Sequence, residues 1–207
     1  MFIEKPASKN SFAQRKNVFG VGINDAPYMT HFRDNNGKLL RCPYYVTWSN
    51  MIKRCYCLKS LEKDPSYKKC KVSKDWLTFS NFRSWMVTKN WKGKALDKDI
   101  LVNGNKEYSA EHCLFVTHQI NNLLHKNESI RGDYPQGVCI HTQNHNFTAH
   151  CKVNGARKHI GCYKTPEEAH EAYKQFKSKH ILEVAGKYKN EPRLYEALKN
   201  HSRMMLL

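Results

Sequence analysis

The stretch FTAHCKVNGARKHIGCYKTPEEAHEAYKQF, residues 147–176, decides the fold of the second half of the chain. Phe147 to Val153 alternates in character, the period of a half-buried strand. Asn154-Gly155 then supplies a two-residue hairpin turn, and residues 157–163 form the return strand. Thr165 stands as a helix N-cap, Pro166 takes the first helical position, and Glu168 closes a capping box. Ala169, Ala172, Tyr173 and Phe176 follow at i, i+3, i+4 and i+7, one apolar stripe fit to cover one sheet face. Upstream, Pro135-Gln136-Gly137-Val138 opens a further strand. The segment therefore reads as a three-stranded antiparallel sheet with one packed helix.

The opposite sheet face is left bare. From Pro135 to Lys164 there is no acidic residue, against four Lys or Arg and four His. Asn146, Thr148, His150 and Lys152 share one strand parity and are expected to point outward with Arg157 and His159. A cationic ribbon of this width enters a DNA major groove. Arg157 suits bidentate contact with guanine, whereas Lys152 and Lys158 suit phosphate. The competing reading is an ordinary solvated sheet face.

Charge supports a polyanionic partner. The 207 residues carry 35 Lys+Arg and 18 Asp+Glu, a formal net charge of +17. Such an excess opposes compaction by self-repulsion unless it is neutralised, and double-stranded DNA is the expected partner, bound in a salt-sensitive way. No apolar run is long enough to span a membrane, and the N-terminus lacks a signal peptide's pattern. A cytoplasmic location follows as the expectation. The eight cysteines are then expected to be reduced. Oligomeric state is left open, with a monomer favoured.

In the first half, Trp48, Met51, Ile52 and Cys55 repeat at helical spacing, and Trp76, Phe79, Phe82, Trp85 and Met86 mark a second helical stretch. Between Gly37 and Lys94 there are 14 Lys+Arg and 3 Asp+Glu, a local net of 14 − 3 = +11, so this half is a second candidate DNA surface. Residues 96–101 read as a strand, Asn103-Gly104 as a hairpin turn, Cys113–Val116 as the return strand, and Thr117 as the cap of a helix carrying Ile120, Asn121, Leu123 and Leu124. The boundaries so drawn are an N-terminal arm and hairpin at 1–43, a first domain at 44–125, a linker at 126–134, a second domain at 135–190, and a tail or short helix at 191–207.

Two resemblances follow from these residues. The series Pro-Gln-Gly-Val, Phe-Thr-Ala, Asn-Gly, Ile-Gly-Cys-Tyr and Thr-Pro-Glu-Glu-Ala-His-Glu-Ala-Tyr resembles the APETALA2/ethylene-response-factor DNA-binding domain over about 50 residues. That resemblance implies a sheet docked in the major groove and backed by a helix. Plant members carry more Arg and Trp on the sheet than this chain, which offers His and Asn, so base preference does not carry over. The order Trp48-x-x-Met51-x-x-Arg54-Cys55-Tyr56, Pro65-x-Tyr67-Lys68, Trp76…Phe79…Phe82…Trp85, Leu96-Asp97-Lys98-Asp99 and Tyr108-Ser109-Ala110-Glu111-His112-Cys113…Asn121 resembles phage HNH-type homing endonucleases. It implies a ββα-metal domain, so the expected fold class is α+β: an HNH-like domain, then the sheet-plus-helix module.

The implied chemistry is hydrolysis of DNA phosphodiester bonds with Mg²⁺ or Mn²⁺, at a site selected by the second domain. Asp97, Asp99 and Asn121 are the expected metal ligands and part of the catalytic set. Most such enzymes place a His beside the first-strand Asp, where this chain has Lys98; His112 is the candidate base in its stead, with His118 behind it. Each assignment has a plainer alternative. Asp97 and Asp99 would share a strand face that could be solvated or paired to lysine, Asn121 could cap a turn, and His112 could be a surface histidine. Structural Zn²⁺ held by Cys55, Cys70 and Cys113 together with Cys57 or His112 is the alternative for these thiols, but no pair has C-x-x-C spacing and buried thiols are preferred. A DNA-binding regulator without catalysis is the rival function.

Overall fold

The computed structural model of the chain describes residues 2–124, 133–140 and 146–207. The linker expected at 126–134 lies mostly outside them. The fold is a mixture of helices and short sheets, an α+β chain, and it divides into two compact units, Met1–Val116 and Thr117–Leu207.

In the first unit a short helix α1 (Lys9–Ala13) precedes a hairpin, β1 (His31–Arg33) and β2 (Leu39–Arg41). The hairpin turns at Asn35-Asn36-Gly37, where Asp34 Oδ1 accepts from the backbone N–H groups of Asn36 and Lys38. Helix α2 (Pro43–Tyr56) buries Trp48, Met51, Ile52 and Cys55, the stripe its periodicity demands. The short helix α3 (Leu58–Lys63) and a 3₁₀ turn at Pro65–Tyr67 lead to β3 (Lys71–Val72). Helix α4 (Phe79–Val87) brings Phe79, Phe82 and Met86 against α2. Trp48 is fully buried, so its indole N–H needs a partner; it donates to the Trp76 carbonyl at 2.7 Å. Trp76 meets Phe82 edge-on, with centroids 5.0 Å apart.

The segment after α4 departs from expectation. The strand predicted over 96–101 is only β4 (Ala95–Asp97), paired antiparallel with β6 (Leu114–Val116). The Asn103-Gly104 turn forms but does not join these two strands directly. Between them β5 (Glu107–Tyr108) pairs in parallel with β3. The reason is local: Asp97 Oδ1 accepts from the N–H groups of Asp99 and Ile100, both at 2.8 Å, and this Asx turn ends the strand.

In the second unit Thr117 Oγ1 accepts from the Ile120 N–H and caps helix α5 (His118–Leu124). Strands β7 (Val138–Ile140), β8 (Phe147–Val153) and β9 (Ala156–Tyr163) form the expected antiparallel sheet in the order 7-8-9. Asn154 and Gly155 both adopt positive φ, as the two-residue turn requires. Helix α6 (Pro166–Ala185) starts with the capping box and packs Ala169 and Tyr173 on Val138, Ala149 and Cys151. It runs on through a second stripe, Ser178, Ile181 and Ala185. Helix α7 (Pro192–Met204) packs on α6 and buries Leu194, Ala197, Leu198 and Ser202. The Ser178 and Ser202 hydroxyls meet at 2.8 Å. The expected tail is thus a full helix that enlarges the small core.

Gly137 locks this sheet to its helix. Its φ is +85°, and a Cβ there would overlap the Tyr173 ring, while its carbonyl accepts from the His150 N–H at 2.7 Å. Gly137→Val therefore combines left-handed strain with a clash in the core. We expect a loss of about 3 kcal/mol or more from the second unit, seen as a lower urea midpoint for its unfolding.

Candidate nucleic-acid interface and carboxylate loop

Register sorts the predicted interface residues between the two faces of the β7–β9 sheet. Ala149 and Cys151 are buried against α6, so Thr148, His150 and Lys152 face the other way. Across the ladder Thr148 pairs with Cys139 and Cys162, His150 with His159, and Lys152 with Arg157. Arg157, His159 and Lys152 are exposed, as is Asn146 just before β8. The sheet bulges between Ala149 and His150, which sets the two histidine rings 5.1 Å apart.

Two predicted contacts lie elsewhere. Lys158 pairs with Cys151, on the helix side, and its ammonium stands 5.0 Å over the Phe176 ring. Thr148 is only 6% exposed; its hydroxyl donates to the Cys139 carbonyl at 3.1 Å and meets His150 Nε2 at 3.1 Å. Thr148 therefore holds the imidazole and does not itself project. Arg157 donates to Cys139 Sγ at 3.2 Å, a neighbour that alternation alone did not reveal. Cys139, His150, Arg157, His159 and Cys162 line one shallow hollow. Burial first, then the charges of Arg157 and His159, hold the His150 imidazole below its ordinary range.

The carboxylate loop differs more from expectation. Asp97 and Asp99 do not alternate along one strand face, because β4 ends at Asp97. Both Asp99 oxygens accept from Lys98 Nζ, at 2.6 and 2.7 Å, and the same ammonium donates to the Asn105 carbonyl at 3.1 Å. Lys98 is 5% exposed. The lysine-paired alternative is what the chain adopts at Asp99. Asn105 ties the loop from both sides, donating to the Lys98 and Glu107 carbonyls at 2.8 and 2.7 Å.

His112 sits before β6 with Nδ1 3.1 Å from Ser109 Oγ and 3.9 Å from Glu107 Oε2. His118 and Asn121 lie on α5, in the second unit. As a divalent-ion site the donor set is a poor fit at Asp99, whose charge an ammonium already neutralises. Asp97 is compatible, since both its amide bonds fall on Oδ1. Among the described residues no three His, Cys, Asp or Glu side chains are gathered as metal ligands are. Burial pushes the Cys55 and Cys113 thiols up to about 12, so both are protonated near neutral pH. All eight cysteines are free thiols, and no helix among the described residues is long and apolar enough to cross a membrane.

No protein-family model, curated protein or solved structure matches the chain.

Proposed function

We propose that the protein is a site-specific binder of double-stranded DNA that reads its site with the exposed face of β7–β9. The observation that carries this reading is the acid-free cationic sheet face, with Lys152, Arg157 and His159 projecting while α6 covers the other side. A ribbon of this kind fits the B-form major groove, whereas the deep, narrow groove of duplex RNA does not admit it.

His150 gives the reading a pH signature. Phosphates favour the imidazolium form that burial, and then Arg157, disfavour in the free protein. The pKa of His150 thus rises on binding, and a proton is taken up. Affinity for duplex DNA increases as pH falls from about 7.5 to 5.5, through the ordinary histidine range. Binding isotherms across that range test this; in His150→Gln the slope flattens.

Within the same proposal the first unit cleaves the bound duplex with Mg²⁺ or Mn²⁺, as the HNH resemblance implies. Asp97 is the residue that would hold the ion, and the ion would supply charge neutralisation at the scissile phosphate. His112, oriented by Ser109 and near Glu107, is the candidate base. Supercoiled DNA carrying the selected site is nicked or cut with Mg²⁺, but not in EDTA or by Asp97→Ala. Activity that persists unchanged in Asp97→Ala overturns this assignment. The lysine-held Asp99 favours the second reading, a DNA-binding regulator without catalysis, for which no metal-dependent cleavage is observed at any site.

A further inference from the structure

Away from the sheet face, the first unit carries an unexplained concentration of cations around the loop just described. Lys68, Lys69 and Lys71 lead into and begin β3, and Lys106 stands beside them, its carbonyl accepting from the Lys71 N–H at 2.8 Å. All four are exposed. Glu107, the one carboxylate on the paired strands β3 and β5, is engaged by Lys71 at 3.2 Å. Helix α3, which packs on the neighbouring 3₁₀ turn, adds exposed Lys59 and Lys63.

Crowding like charges on a two-residue parallel pairing is unfavourable unless something fixes the backbone. The buried Lys98 does so. Its ammonium, held by Asp99 and the Asn105 carbonyl, stands 5.7 Å from the Tyr67 ring and 5.9 Å from the Tyr108 ring. Tyr67 belongs to the 3₁₀ turn before β3 and Tyr108 to β5, so one internal cation ties together both sides of the ribbon. The exposed lysines are thereby arrayed along a fixed edge and do not hang from a mobile loop.

We propose that the β3–β5 ribbon is a second nucleic-acid contact, a rail for the phosphate backbone of duplex DNA, with Lys98 and Asp99 as its positioning residues. It rests on the reading of the chain as a duplex-DNA binder. Unlike the sheet face, lysines on a ribbon edge contact phosphates without reading bases. They lengthen the footprint and add affinity on any sequence.

The salt dependence of binding separates this contact from the sheet. For the full-length chain on a random-sequence DNA duplex, log Kd is measured against log[salt]. Each phosphate contact contributes about 0.9 to the slope. In Lys68→Gln/Lys69→Gln/Lys106→Gln the slope falls by about 2–3 and affinity at moderate salt drops on the order of tenfold. The control Lys9→Gln/Lys16→Gln/Lys38→Gln, which removes the same charge from exposed positions off the ribbon, keeps a slope near wild type. Preference for the selected site over random sequence is unchanged in both.

An unchanged slope in the ribbon variant, or an equal fall in the control, overturns the rail and leaves the sheet reading standing. A wild type with no salt-dependent duplex binding sinks both. A larger loss on duplex RNA than on DNA of the same sequence overturns the assignment of the partner.

Discussion

Arg157→Ala lowers affinity for the selected DNA site by about 1–3 kcal/mol, roughly 5- to 150-fold, and relaxes base preference at one position of that site. Arg157 is exposed on the acid-free face, beside His159 and across from Lys152. Its neighbour Cys139 Sγ accepts one N–H at 3.2 Å, which leaves most of the planar donor fork for a guanine edge. Lys152→Ala has a different signature: a uniform loss across all sequences and a salt slope smaller by about 1. Equal losses on selected and random duplexes in Arg157→Ala would move this residue from base contact to phosphate contact.

The second large effect is on stability, and it is asymmetric. Asp99→Ala leaves the Lys98 ammonium, with only 6% of its side chain exposed, without its carboxylate partner. Stranding a buried charge of this kind costs about 3 kcal/mol. Lys98→Met costs much less, because half of the Asp99 side chain is exposed and water takes over its solvation. The double variant is more stable than Asp99→Ala alone. All four tryptophans (48, 76, 85 and 91) lie in the first unit, so urea titration followed by tryptophan fluorescence reads this unit specifically. Equal destabilisation by the two single variants would show that Lys98 is not desolvated as described.

The contrast between these two regions marks what the sequence can and cannot reveal. The stripe Trp48, Met51, Ile52 and Cys55 announces α2 because 14 helical residues allow a period to be seen. The Thr165-Glu168 capping box and the Asn154-Gly155 turn are local devices, and both form as read. Alternation also assigned Lys152, Arg157 and His159 to the open face. It misled at Thr148, whose position faces the right way yet is closed over by hydrogen bonds to Cys139 and His150.

Around Asp97 the failure has a different cause. β3 and β5 are two residues long each, too short to carry a period, and their parallel pairing joins segments far apart in the chain. The run from Leu96 to Leu101 reads as a strand because nothing in its pattern announces that Asp97 accepts two amide N–H groups and ends it. Nor does a lysine between two aspartates announce that it points inward. The pairing with Asp99 was one of the alternatives the residues allowed, and only the burial of Lys98 selects it.

Selection of bound duplexes from a random-sequence DNA pool, with wild type and with Lys152→Ala/Arg157→Ala/His159→Ala run in parallel, tests the sheet-face reading most directly. Wild type should enrich one defined sequence motif, and the triple variant, folded by its circular dichroism and urea midpoint, should enrich none. Enrichment of the same motif by both proteins would contradict the assignment of the reading face to β7–β9.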